Sequence, residues 1–400
     1  MLRYLRLSIT ITILSLLPYF VMRIQTLILS ATAAIAHPQA ASIPVSGDNG
    51  EMGGIFGMGF SSSPPAWASG IGSALSSFAS SSGLSSAFGS LTANVDPNTI
   101  ISKLVPAGPE YPKGKMTLAD FYDPGSGPYP AHFITEETLG NHTIYKPKTP
   151  PPSNIKMPVL IWGNGGCTSS GTPYAPFLTE VASHGYICIA NGPPGGAPPT
   201  LDLPKEAGGL LPGPNGEKIY AKEAASGAGF AKIKDMLDAI TWVVAGNAAK
   251  YGTIDINSFI TAGSSCGGLE AYSAAYHNDR VKLVGVYNSG VIDAKKKYLL
   301  KEMKAGIAYF QGGPQDPGYA NSEADYALLP AGVPAFKASL DSGHMGTFFT
   351  KQGGKYGRTS VALFEWFFRG DQKGKAMWTD PASEGSMVKE KWNVTTKNFS

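Results

Sequence analysis

Charge is scarce in this chain. Asp, Glu, Lys and Arg make up 15% of its 400 residues, and the formal net charge is only +3. So small an imbalance implies no polyanionic partner. No Lys/Arg cluster is interleaved with aromatics, which argues against nucleic-acid binding. Cysteine is scarcer still: Cys167, Cys188 and Cys266 are all there are, so at most one internal disulfide can form. No Cys/His spacing suits a zinc site. The run Gly163-Asn164-Gly165-Gly166 is not followed by Gly-Lys-Ser/Thr, so a phosphate-binding loop is disfavoured. The chain is therefore expected to use neither metal nor cofactor. Heptads and long internal repeats are also missing. With 43% hydrophobic residues, the length suffices for one large core or two modest ones.

What the chain has in quantity is glycine, 49 residues of it, and one group of glycines carries a pattern. Gly263-Ser264-Ser265-Cys266-Gly267-Gly268 contains G-x-S-x-G. A β-branched and aromatic run (residues 254–261) precedes it, and a helix-compatible stretch (residues 269–276) follows. That context suits a nucleophile elbow, a sharp strand-to-helix turn that lifts a serine hydroxyl out of the fold. Small residues on either side let strand and helix approach closely and permit strained backbone at the serine.

The amino terminus reads as a targeting segment. Residues 1–20 are basic and then apolar, Arg23 interrupts, and residues 27–36 are apolar again. They end in Ala34-Ile35-Ala36, a small-x-small cleavage pattern ahead of His37-Pro38. A secretory signal peptide over residues 1–36 is expected, and Met22-Arg23 offers a second start for a shorter one. An uncleaved membrane anchor is the competing reading. Arg23 splits the apolar run and the cleavage pattern favours removal, so no stable membrane insertion is expected afterwards. Three sequons, at Asn141, Asn393 and Asn398, fit a secreted, glycosylated route. Residues 37–110 form a Ser/Gly/Ala-rich leader with no period, expected to be weakly ordered. Residues 111–380 carry the folded domain, and residues 381–400 read as a tail.

Within that domain, buried strands are predicted at residues 158–162, 186–190, 254–261, 281–287, 306–311 and 333–338. Two shorter strands are predicted at 131–135 and 142–145. Helices are predicted at 175–184, 232–248, 294–304 and 360–369, and residues 192–219 form a long Pro/Gly loop. Apolar strands alternating with helices imply an α/β fold, a mostly parallel sheet with helices on both faces.

A serine hydroxyl needs a base within hydrogen-bond reach, and the base needs an orienting carboxylate. In an open parallel sheet both belong on loops at the carboxyl ends of strands. Of six histidines, His344 alone falls in such a loop, Asp341-Ser342-Gly343-His344-Met345-Gly346; the others are His37, His132, His142, His184 and His277. Asp316, just past the strand at 306–311, is the expected acid. Asp325 and Asp293 are the fallbacks, and Asp341 lies too close to His344 along the loop. The oxyanion donors are expected at the N–H of Cys266 and in the loop containing Gly165, Gly166 and Cys167. If Cys167 and Cys266 both flank that hole, two arrangements stay open: a disulfide bracing it, or two unpaired small side chains. Tyr174 and the 192–219 loop are placed to border a substrate pocket, and Tyr174 fits plain packing equally well.

The order Ser265, Asp316, His344 and its strand context resemble the α/β-hydrolase superfamily over roughly residues 110–380. Several stretches resemble its dienelactone hydrolase, chlorophyllase and polyester-hydrolase (cutinase-like) branch. They are Met157-Pro158-Val159-Leu160-Ile161-Trp162-Gly163-Asn164-Gly165, Ala182-Ser183-His184-Gly185-Tyr186, the Gly-x-Ser-x-Gly-Gly elbow, and Trp366 with Gly370-Asp371. Ser264 stands where polyester hydrolases of that branch carry His or Trp. The resemblance implies an α/β-hydrolase fold and a secreted serine hydrolase whose partner is a carboxylic-ester substrate. Two other functions fit the same sequence: an acyltransferase using the same three residues, and a non-catalytic binding or adhesion protein on a hydrolase scaffold.

Overall fold

A computed structural model describes residues 107–202, 210–213, 218–220 and 230–399. The signal-peptide reading and nearly all of the leader lie outside these residues.

Nine strands form one sheet in the order β1-β2-β4-β3-β7-β8-β9-β10-β11. They are β1 (Ala131–Ile134), β2 (His142–Pro147), β3 (Met157–Gly163), β4 (Ile187–Asn191), β7 (Ile254–Ser264), β8 (Val281–Tyr287), β9 (Gly306–Gln311), β10 (Ala335–Ser339) and β11 (Asn393–Lys397). The six central strands, β4 to β10, run parallel. β1, β2 and β11 are antiparallel additions at the two edges. A separate hairpin pairs β5 (Leu210–Pro212) with β6 (Lys218–Tyr220).

The central strands are largely apolar where both sheet faces are covered; β7 becomes buried only from Phe259 onward. Side chains alternate between two cores, as the two-residue strand period requires. In β3, Leu160 and Trp162 enter one core while Met157, Val159 and Ile161 enter the other. The first core is closed by α1 (Ala175–Ser183) and α5 (Gly354–Arg369), through Phe177, Leu178, Val181, Leu363 and Phe364. The second is closed by α2 (Ile233–Val244), α3 (Cys266–Ala275) and α4 (Tyr319–Leu328), through Met236, Ile240, Ala271, Tyr272 and Tyr326. The architecture is thus α/β, with a mostly parallel sheet between helices.

The structure departs from the sequence expectations in several places. Residues 294–304 do not form one helix but a 3-10 turn, Ala294–Lys296, and a short helix, Tyr298–Lys301. Adjacent Leu299 and Leu300 are both buried there, so no single helical stripe faces the core. Helix α4 lacks an apolar stripe because its inward residues, Ser322, Asp325 and Tyr326, are polar or amphipathic. The supposed tail beyond residue 380 belongs to the fold: β11 pairs with β10, and Trp392 and Phe399 are buried. Another helix, α6 (Gln372–Thr379), is capped by Asp371, whose side chain accepts the Lys373 and Gly374 N–H groups. At the other end, residues 107–110 are not part of a loose leader. Ala107 bridges Gly343, and the Glu110 N–H donates to Asp341 O at 2.9 Å.

Candidate active site

The turn from β7 into α3 is tight because three glycines bring backbone against backbone. A Cβ on Gly267 would lie 2.0 Å from Gly163 O, and one on Gly263 would lie 2.3 Å from Gly267 O. Helix α3 therefore sits directly on the carboxyl ends of β3 and β7. Ser265, at the apex, has φ 53° and ψ −117°, a conformation costly for a residue with a side chain. The surroundings hold it there: its N–H donates to Tyr287 O (2.9 Å), and its carbonyl accepts from Ser289 Oγ (2.6 Å) and from the Gly268 N–H (3.0 Å).

Three loops at the carboxyl ends of β7, β9 and β10 converge at this apex. His344 Nε2 lies 2.9 Å from Ser265 Oγ, and His344 Nδ1 lies 2.6 Å from Asp316 Oδ1. The Asp316 side chain is fully buried, and that of His344 is 18% exposed. Asp316 Oδ1 also accepts from the Gly318 N–H (2.9 Å), and Oδ2 from the Gly312 N–H (3.1 Å) and Asn288 Nδ2 (3.0 Å). Burial alone would raise this carboxyl. The hydrogen bond and charge of His344, then the Gly318 and Asn288 bonds, outweigh burial and hold it below 3.8. An ionised, immobile acceptor fixes Nδ1 of the imidazole as a donor and leaves Nε2 to accept the serine proton. Such a chain can deprotonate the hydroxyl as it attacks an electrophilic carbon.

The loop after β3 faces the same apex, and its donors differ from one another. The Cys167 N–H is committed to Asn164 O (3.1 Å) and the Gly165 N–H meets the Tyr174 hydroxyl (3.3 Å). Gly166 is exposed, at φ 65°, and its N–H has no acceptor among the described residues. Cys266 opens α3, so its N–H has no intrahelical acceptor. Gly166 and Cys266 thus present the free N–H groups. A disulfide joins Cys167 to Cys266, with Cα atoms 5.2 Å apart, so Cys266 offers no thiol as a nucleophile. Cys188 is free and buried in β4, and burial pushes its thiol well up from the ordinary range.

Tyr174 belongs to an aromatic cluster under this loop. Its ring lies 5.1 Å from Trp162 and 5.2 Å from Phe348. Of the 192–219 loop, the described part carries backbone bonds from Gly171 and Thr172 to Pro193 and Gly195, and residues 203–209 and 214–217 lie outside.

The remaining candidates stand elsewhere. Asp325 is bonded to Lys297 Nζ (2.6 Å) and Tyr272 (3.1 Å), Asp293 caps a 3-10 turn, and Asp341 is exposed. His277 pairs with Glu302, His184 with Glu180, and His142 with Asp235 O. Asn141, Asn393 and Asn398 are exposed, the last with its amide bonded to Val333 O. Among the described residues no cluster of ligating side chains could hold a metal, and no helix is long and apolar enough to cross a membrane.

Asn288 and Ser289 escaped the sequence reading. Both follow β8, the strand beside the serine strand, and polar residues at a parallel-strand carboxyl end are the one signal that marks them. No family model matches the chain, and no curated protein matches it.

Proposed function

We propose that this protein is a serine hydrolase of the α/β-hydrolase fold, related to the dienelactone hydrolase and cutinase-like branch, that cleaves carboxylic esters. The carrying observation is the unbroken chain Ser265 Oγ, His344 Nε2, His344 Nδ1, Asp316 Oδ1 at 2.9 and 2.6 Å, with a strained serine at its head. Ser265 attacks the acyl carbon as His344 takes its proton. Asp316 stabilises the imidazolium that forms. The N–H groups of Cys266 and Gly166 receive the developing oxyanion; losing one such donor typically costs about 10²–10³ in rate. His344 then protonates the departing alcohol, and water, activated by the same histidine, hydrolyses the acyl-enzyme. The complete chain speaks against a purely adhesive role. The disulfide supports an oxidising, extracellular destination, in keeping with the signal-peptide pattern.

A panel of p-nitrophenyl esters of graded acyl length tests the reading. Wild type should turn over at least the short esters, and Ser265→Ala should lose on the order of 10⁵–10⁶ in kcat. Activity persisting in Ser265→Ala would reject the nucleophile. Labelling by a fluorophosphonate should be lost in His344→Ala and kept in His277→Ala.

A further inference from the structure

Glu270 lies on α3, little more than a turn past Ser265, and the mechanism above does not use it. The residue is only 4% exposed, and no cation pairs with it among the described residues. A Cβ built on Gly163 would stand 2.7 Å from its Oε2, so the carboxyl lies against the backbone that leads into the oxyanion loop. Its side-chain partner is Asn191 Nδ2, at 3.4 Å. Asn191 O in turn accepts from Asn164 Nδ2 (2.8 Å), which also reaches Thr168 O (2.8 Å) and Ser170 O (2.9 Å). The amide of Asn164 thus gathers the whole loop, and Asn191 links it to Glu270. This buried polar layer is short of donors: among the described residues, none reaches Asn164 Oδ1 or Asn191 Oδ1. Glu270 Oε2 accepts from Asn191 in either protonation state, but only the protonated carboxyl is uncharged in a layer that, among the described residues, holds no cation to pair with it.

We propose that Glu270 is a positioning residue of this site: held neutral, it ties α3 through Asn191 to the Asn164 amide beneath the oxyanion loop, and its ionisation sets an unpaired negative charge against that loop and slows catalysis on the alkaline side. The proposal rests on the esterase reading. The proton lost on ionisation passes to solvent, and the charge left behind repels the negative charge that develops on the acyl oxygen. Burial, then the charge of Asp235 on α2, pushes the carboxyl up to about 8, against the Asn191 bond that lowers it. The other groups facing it carry no opposing charge. β3 and β4 present the Gly163 backbone and the Asn191 amide, and His142 of β2, bonded to Asp235 O, is held below 6.5 by burial.

The test is kcat and KM for a p-nitrophenyl ester from about pH 6 to about pH 9.5 in wild type, Glu270→Gln and Asp235→Asn. In wild type, kcat should fall with an apparent pKa near 8 while KM stays level. Glu270→Gln, permanently neutral and able to donate, should match wild type within about twofold near pH 7 and lose the alkaline limb. Asp235→Asn removes a charge that raises Glu270, so its limb should move to lower pH. An alkaline limb unchanged in Glu270→Gln would overturn the proposal while leaving the esterase reading intact. If that variant does not fold, an unmoved limb in Asp235→Asn overturns it equally. A wild type that hydrolyses no ester rejects the esterase reading, and the proposal with it.

Discussion

Asn288 Nδ2 lies 3.0 Å from Asp316 Oδ2 and 3.1 Å from Gly343 O, so one amide holds both the acid and the loop that carries the histidine. The loops are also joined directly, by the Gly343 N–H to Gly312 O at 2.7 Å. His344 and Asp316 therefore sit on a single braced unit, hung from β8, β9 and β10.

Asn288→Ala removes this brace and leaves Asp316 Oδ2 with the Gly312 N–H. A buried hydrogen bond to a charged group is worth about 1.5–3 kcal/mol. The expected result is a fall of about 10- to 100-fold in kcat with KM little altered, read on a short-chain ester. An unchanged kcat would mean that the backbone donors alone fix the acid.

The lowered pKa of Asp316 makes a prediction for stability against pH. A carboxyl that folding depresses adds stability that is present above its unfolded value and lost as pH falls through the folded one. For Asp316 that window opens at 3.8 and extends downward. Thermal unfolding of wild type and Asp316→Asn should show a gap that is constant near neutrality and narrows below that value. A gap that stays constant into strong acid would contradict the assignment of an ionised, hydrogen-bonded Asp316.

The disulfide joins residues 99 positions apart and ties the loop after β3 to the start of α3. Chain-entropy arguments give a closed loop of that length about 4–5 kcal/mol. The double variant Cys167→Ser/Cys266→Ser should unfold at lower denaturant by that order. Its kcat should drop at least about tenfold, because both proposed oxyanion donors, the Gly166 and Cys266 N–H groups, neighbour the bond. Wild-type kcat and midpoint in the variant would show that the glycine-mediated packing suffices.

That packing can be probed by itself. Gly267→Ala places a methyl 2.0 Å from Gly163 O and 2.8 Å from Asn164 N, and neither backbone atom can yield. A loss of more than about 3 kcal/mol, or failure to accumulate soluble protein, is expected. Gly114→Ala, where nothing lies within 4 Å, should stay within about 0.5 kcal/mol of wild type. Equal behaviour of the two variants would refute the close approach of α3 to β3.

The sequence by itself determined the strands of the central sheet, because burial on both faces writes a continuous apolar run that needs no partner to be recognised. β8 and β9 occupy the predicted residues, and β3 and β4 differ from prediction by a residue at each end. It also narrowed the chemistry, since a serine in a Gly-rich turn, one histidine and a few candidate aspartates headed by Asp316 fell near strands whose carboxyl ends must share an edge. Tertiary structure decided the rest. β11 is half exposed and weakly apolar, and only pairing with β10 makes it a strand. Helix α4 packs through polar groups whose partners, Gln311 and Lys297, come from other elements. Whether Cys167 meets Cys266 depended on a Cα separation that no spacing in the chain encodes. Asn288 and Glu270 became legible last, because a buried polar residue shows its purpose only through the groups that fold up against it.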